Sequence, residues 1–264
     1  MNSQTVLITG ASSGIGKALA RQFAIEGFDI VAVASNAAKL SLAAGELRAV
    51  HPVEIIEIVK DLTQSTAPQE IYDELRARGI TIDVLVNDAG IGQGGPFSES
   101  PLDKDIEVIR LNVEAVTRLT KLFLNDMLVR NSGRILNVGS VAGFQPGPLL
   151  AVYHATKAYV NSFSEALAEE LKDTNITVTL LCPGPTDTDF FQRADLEDSR
   201  IFESGMLMEP EEVAEIAYDA LMDGERVVIP GMSNKVMTFT RRLMPLGMQA
   251  KLNRKFYEIR EEHQ

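Results

Sequence analysis

A short apolar run, Val6-Leu7-Ile8, ends at Thr9 and passes directly into Gly10-Ala11-Ser12-Ser13-Gly14-Ile15-Gly16. Beyond it Ile15, Leu19 and Phe23 recur at helical spacing, and Gly27 closes the segment. A buried strand is therefore delivered to a helix N-terminus through a turn of glycines. Glycine supplies the dihedrals such a turn needs and lets the backbone approach a ligand closely. The orphan N–H groups of the following helix favour an anion, and a dinucleotide pyrophosphate suits that setting. Ser12 and Ser13 add hydroxyl donors.

The same alternation continues along the chain. Thr5–Thr9, 28–34, 53–59, 82–86, 134–138, Ile176–Leu181 and 226–229 read as strands. Between them, 14–26, Ala37–Val50, 68–78, 102–129, 149–173 and 211–222 read as helices. Several strands are almost wholly apolar, as in a parallel sheet covered on both faces. Repeated β-α units with right-handed crossovers put the ligand crevice at the carboxyl ends of the strands. The 264 residues are read as a single dinucleotide-binding catalytic domain over 1–264. Within it 92–96 and 183–210 are irregular, with 185–210 read as a substrate lid and 233–264 as a helical tail.

Composition excludes several classes. Lys plus Arg is 25 against 37 Asp plus Glu, so the formal net charge is −12 and nucleic acid is a poor partner. A single cysteine, Cys182, precludes an internal disulfide and suggests a reducing compartment. The chain lacks a secretory leader pattern and a long apolar span, so a cytoplasmic location is expected. Three scattered histidines give no metal spacing.

Tyr153-His154-Ala155-Thr156-Lys157 places a phenol and an ammonium at i, i+4, on one helix face. A carbonyl that accepts hydride needs a proton. A phenol near pKa 10 matches that task poorly, and a nearby ammonium favours the phenolate and lowers it. His154 should point about 100° away around the helix. Ser140 stands 13 residues before Tyr153, after a strand.

Thr9-Gly10-x-x-x-Gly14-x-Gly16 resembles the T-G-x-x-x-G-x-G signature of the short-chain dehydrogenase/reductase family, and Tyr153-x-x-x-Lys157 its Y-x-x-x-K. The resemblance runs from Thr5 to about Ile229, with the motifs in family order. It implies a Rossmann-type doubly wound parallel α/β sheet of about seven strands with helices on both faces. It also implies catalytic roles for Asn112, Ser140, Tyr153 and Lys157. Ser140 would bond the substrate oxygen, Asn112 would hold a relay water, and Lys157 would also bind the nicotinamide ribose. Asn87-Asp88-Ala89-Gly90 resembles the family's N-N-A-G, departing at Asp88, which lacks the amide donor. Pro183-Gly184-Pro185-Thr186-Asp187-Thr188 resembles P-G-x-x-x-T, so Pro183, Gly184, Thr186 and Thr188 are expected at the carboxamide. Asp61-Leu62 resembles the adenine-contacting pair, and Pro230-Gly231-x-x-Asn234-Lys235 a stretch found in a bacterial subgroup. The cofactor set thus comprises Gly10, Ser12, Ser13, Gly14, Ile15, Gly16, Ser35, Asn36, Asp61, Leu62, Asn87, Ala89, Gly90, Tyr153, Lys157, Pro183, Gly184, Thr186 and Thr188.

NAD recognition uses an acid at the end of the second strand. Here that position reads Ser35-Asn36, with Lys39 nearby, so NADP(H) is expected over NAD(H). Phe97, Phe144, Leu149, Leu150, Phe190, Phe191, Ile201, Phe202, Met206, Leu207 and Met208 suggest an apolar carbonyl or alcohol substrate. The tail is locally basic and amphipathic, which reads as packing on the domain or a sister subunit rather than on a membrane surface. The family resemblance implies a homodimer or homotetramer through 102–129 and 149–173. A catalytically silent NADP(H)-binding sensor is the alternative reading. Cys182 is read as core, Tyr159 as packing, and His51 and His263 as surface.

Overall fold

The computed structural model describes residues 4–194, 196, 207–242 and 244–258. Ile201, Phe202 and Met206 of the expected lid lie outside them, as do Leu243, Arg260 and His263.

Seven parallel strands form one sheet: β1 (Thr5–Thr9), β2 (Asp29–Ala34), β3 (Ile55–Val59), β4 (Val84–Asn87), β5 (Gly133–Val138), β6 (Ile176–Leu181) and β7 (Val227–Val228). Their order is β3-β2-β1-β4-β5-β6-β7, so the chain reverses direction beside β1, between its neighbours β2 and β4. Ten helices are described: α1 (Gly14–Ile25), α2 (Ala37–Val50), α3 (Ala67–Ala77), α4 (Leu102–Ile109), α5 (Val116–Arg130), α6 (Ala151–Glu170), α7 (Phe190–Arg193), α8 (Pro210–Asp223), α9 (Met232–Arg242) and α10 (Leu246–Tyr257).

Strand alternation sorts the side chains into two cores. Val6 and Ile8 of β1 join Leu19 and Phe23 of α1 and Val213 and Ala217 of α8 on one face. Leu7 joins Ile71 of α3 and Leu119, Phe123 and Met127 of α5 on the other. Phe23 meets Phe28 and Tyr218 edge-on, each at 5.1 Å between ring centroids. Such pairs add about 0.5–1.5 kcal/mol beyond the area they bury.

The apolar strands formed as their composition demands. The expected continuous helix over 102–129 did not. A π-helical stretch, Arg110–Ala115, joins α4 to α5, and Asn112 sits inside it, buried. Helix α6 begins at Ala151 rather than at Leu149, because Leu149 has a left-handed backbone (φ 68°). Gly95 donates its N–H to the Leu149 carbonyl and holds that turn. The irregular segment after β6 contains α7, and Thr186 bridges to Met208 at its two ends.

Candidate active site

The carboxyl ends of β1, β2, β4, β5 and β6 open on a cavity of about 630 Å³. Its floor is the glycine turn. Gly10 and Gly14 have φ of 75° and 55°, and a Cβ on Gly14 would press tightly on the Thr188 side chain. Ser13 precedes α1 with no side-chain cap bond, and the first turn of α1 holds no acid. In that first turn the Gly16 N–H bonds Asp88, and the glycine cradle ahead of it fits the pyrophosphate of a dinucleotide. Thr9 welds the turn to β4: its hydroxyl donates to the Val86 carbonyl and accepts from the N–H groups of Asp88 and Ala89.

The second residue of Asn87-Asp88-Ala89-Gly90 is closer to the chemistry than the sequence suggested. The Asp88 carboxylate accepts the Gly16 N–H and fills the space that a Cβ on Gly10 or Gly16 would need. Burial pushes its pKa up to about 7, against the opposing charges of Lys157 and Arg193.

Ser140, Tyr153 and Lys157 line the same cavity. Ser140 leads into a single turn of 3-10 helix, and its hydroxyl accepts the Ala142 N–H. Its backbone is fixed by Asn161, whose amide donates to the Ser140 carbonyl (3.0 Å) and accepts the Ser140 N–H (3.4 Å). Asn161 stands one turn beyond Lys157, on the same face. That spacing was the available signal for a residue the sequence reading passed over. Lys157 Nζ lies 5.8 Å from the centroid of the Tyr153 ring and donates to the Val138 carbonyl at 2.8 Å.

The expectation that Lys157 depresses the phenol is not met here. Burial pushes Tyr153 up to about 12, the bond with Ser140 opposes that rise, and the Asp88 charge adds to it. Lys157 is itself pushed down to about 8, chiefly by burial, with Asp88 resisting. Desolvation acts on both groups and outweighs their separation along the helix.

Most of the expected cofactor residues line the cavity: Gly10, Ser12, Ser13, Gly14, Ile15, Ser35, Asp61, Leu62, Ala89, Gly90, Pro183, Gly184, Thr186 and Thr188. Four expected residues do not line it. Gly16 packs behind the turn against the Gly10 carbonyl. Asn36 caps α2 by accepting the Lys39 N–H. Asn87 is buried and donates to Thr120 and Asn137. Asn112 donates to the Ile91 carbonyl and the Thr156 hydroxyl and accepts the Ile91 N–H. Asp61 faces its own turn. Burial raises its carboxyl, but bonds from Thr63 and Gln64 hold it below the usual value.

Of the apolar wall candidates, Leu150, Phe190 and Phe191 line the cavity. Phe97 is exposed, Phe144 packs near Val160 and Cys182, and Met208 packs on the core beside α8. Several wall residues were not anticipated: Arg193, Met237, Asn253, Phe256 and Tyr257. Arg193 donates to the Ser13 hydroxyl at 2.8 Å, and Lys39 bonds Asp189 at 3.1 Å across the rim. Asn234 covers Gly184, where a Cβ would strike its amide, so the Pro230–Lys235 stretch braces the loop after β6.

Residues 4–199 match the family model described as short chain dehydrogenase. The chain belongs to the short-chain dehydrogenase family. It is 40% identical over 183 residues to a very-long-chain 3-oxoacyl-CoA reductase of Anas platyrhynchos, covering 67% of this chain and 58% of that one. The chain thus spans under two thirds of that relative's length. A short-chain dehydrogenase from Sphingobium yanoikuyae in complex with NADPH is 33% identical, with TM-score 0.81 over 91% of this chain and 95% of its own. One from Burkholderia phymatum in complex with NAD is 25% identical, with TM-score 0.83 over 98% of each.

These findings place the chain in a family of oxidoreductases whose solved members include complexes with NADPH and with NAD, on the doubly wound sheet the motifs implied. They also correct the expected cytoplasmic location. The Anas platyrhynchos relative, and others from Coprinopsis cinerea and Bos taurus, are very-long-chain 3-oxoacyl-CoA reductases that extend well beyond the aligned stretch. A lone cysteine and the lack of an apolar span therefore do not locate the protein. Among the described residues no helix is long and apolar enough to cross a membrane.

Proposed function

We propose that this protein reduces an apolar ketone to a secondary alcohol with NADP(H), using Tyr153 as the acid. The observation that carries the reading is the convergence of Ser140, Tyr153 and Lys157 on the cavity floored by the glycine turn. A bound dinucleotide supplies the hydride.

The residues do the rest. The Ser140 hydroxyl holds the substrate oxygen. Tyr153, with a pKa near 12, carries its proton at neutral pH and gives it to that oxygen as the carbonyl carbon is reduced. Lys157, charged below about pH 8, stands behind Tyr153 to return a proton to the phenolate. Asn112, bonded to both backbone groups of Ile91, anchors the outer end of that path.

The choice of NADP(H) rests on the end of β2. Ser35 lines the cavity there without a carboxylate, and Lys39 in the first turn of α2 bonds Asp189, the neighbour of the lining residues Thr188 and Phe190. A 2′-phosphate would be repelled by an acid at that position and attracted by a cation. The apolar substrate is supported by Leu150, Phe190 and Phe191 in the wall and by the substrate class in the relatives' name. The whole chain is read as one catalytic unit. Self-association into a homodimer or homotetramer through 102–129 and 149–173, that is α4, α5 and α6, belongs to the same reading, since Leu102, Ile106, Ile109, Val129 and Tyr159 are exposed there.

The test is NADPH and NADH binding plus turnover of aromatic and aliphatic ketones by wild type and Tyr153→Phe. Tyr153→Phe should bind NADPH normally and lose about 10²–10⁴-fold in turnover. Wild type that binds NADPH and reduces nothing would replace the enzyme with a dinucleotide sensor.

A further inference from the structure

Helix α10 closes the cavity beyond Tyr153. Its inward face carries Gln249 and Asn253, both buried, and then Phe256 and Tyr257, both half-buried. The spacing i, i+4, i+7, i+8 is a single helical stripe. The helix is fastened across the segment that leads into α6. Asn253 donates to the Pro146 carbonyl at 2.8 Å. The Tyr257 hydroxyl meets His154 Nε2 at 3.0 Å, and His154 Nδ1 meets the Gln145 carbonyl at 2.8 Å. His154 is thus turned away from Tyr153's reacting side and spent on α10.

Tyr257 also packs with Tyr153 and Phe190 around a small core of Leu150, Phe191, Ala194 and Leu196. Phe190 lies 4.9 Å from Tyr153 between ring centroids. Met237 of α9 completes this end of the cavity. The wall is aromatic and aliphatic, with polar atoms at Asn253 and Tyr257 only where they bond the body. The part of it that α9 and α10 carry lies beyond the stretch matched by the family model, which ends at 199.

We propose that α10 sets substrate selectivity. Phe256 and Tyr257 limit how long a hydrocarbon part can extend from the carbonyl held at Ser140 and Tyr153, and the His154–Tyr257 bond fixes that limit. The substrate class is a ketone bearing an extended aliphatic or ring skeleton on one side. His154 and Tyr257 are positioning residues and do not touch the reacting atoms. The inference rests on the reading of Tyr153 as the acid only for the location of the carbonyl.

The experiment compares wild type, Tyr257→Phe and Tyr257→Ala on straight-chain methyl ketones from butanone to tetradecanone, with NADPH. Affinities of the NADP⁺-loaded proteins for the matching secondary alcohols are measured by calorimetry. Tyr257→Ala should move the optimum to longer chains, with kcat/KM for the long ketones changing by roughly tenfold or more. The readout is the ratio of kcat/KM for the long ketones to that for butanone, which should rise in Tyr257→Ala whatever the absolute rates become. Tyr257→Phe keeps the ring and its packing but loses the bond to His154, and should raise KM for the long ketones while leaving kcat unchanged. Chain-length profiles that superpose in all three proteins would overturn the proposal. If wild type reduces no ketone, the catalytic reading fails. The alcohol affinities then decide alone: a shifted series in Tyr257→Ala sustains the role of α10, and an unshifted one ends it.

Discussion

Asp88, half-buried, and Lys157, buried, lie together beneath the glycine turn, and each is the other's leading charge partner. Desolvation drives them in opposite directions, the acid up to about 7 and the base down to about 8. The pair therefore changes charge close to neutrality, at the base of a site meant to receive a polyanion.

The Asp88 carboxyl rises from an ordinary 3.8 to about 7 on folding. Between those values the folded protein holds a proton that the unfolded chain has released. The stability it contributes is full below about pH 4 and is lost as the pH rises through about 7. Asp88→Asn removes that loss and keeps an acceptor for the Gly16 N–H. Thermal unfolding should show the variant gaining on wild type between about pH 5 and about pH 8, by an amount on the order of 2 kcal/mol. An equal difference at both pH values would contradict the buried pair.

Asn161 satisfies both backbone groups of Ser140. Asn161→Leu leaves the buried Ser140 N–H unpaired and the Ser140 carbonyl with its bond from the Gly143 N–H alone, at a cost of about 1–3 kcal/mol. The serine loop should loosen, lowering kcat more than it changes the Kd for NADPH. Denaturant titration and steady-state kinetics check both. Unchanged kcat would mean that Ser140 is positioned by other contacts.

Asp189 holds Lys39 at 3.1 Å and Arg193 at 3.3 Å, and Lys39 keeps its carboxyl below the usual value. Arg193 lines the cavity, and Lys39 reaches Asp189 beside the lining residues Thr188 and Phe190. Asp189→Asn frees them for a phosphate, so NADPH should bind about three- to tenfold tighter at low salt, with the gain fading at high salt. NADH, which lacks the 2′-phosphate, should gain less. Fluorescence titration at two salt concentrations reads this, and equal gains for both cofactors would remove Lys39 from NADP recognition.

A Cβ on Gly147 would fall within the ring of His154. Gly147→Ala therefore displaces the ring, and with it the bond to Tyr257. The expected cost is about 1–3 kcal/mol, seen as a lower Tm. A Tm equal to that of wild type would show that the turn before α6 yields easily.

The sheet was legible because buried parallel strands are short apolar runs between turns, as at 6–8 and 84–86. The glycine turn and the Tyr153–Lys157 pair were legible because local spacing states their geometry. The π-helical stretch at 110–115 was not, since the apolar residues run through it at ordinary helical spacing. Long-range contacts left no local trace either. His154 was read only for its angle around α6, and its partner Tyr257 lies 103 residues away. Asp88 was judged by its missing amide donor, whereas its burial beside Lys157 follows from the packing of β4 under the turn.

The reversal of chain direction beside β1 has a further consequence. The crossover after β1 runs toward β2 and the one after β4 toward β5, at opposite edges of the sheet, so their helices pack on opposite faces and diverge above the carboxyl ends of these two neighbouring strands. The gap between them belongs to the topology and not to any side chain. Sequence drift among the lining residues can change which molecule settles there, but it cannot erase the place itself.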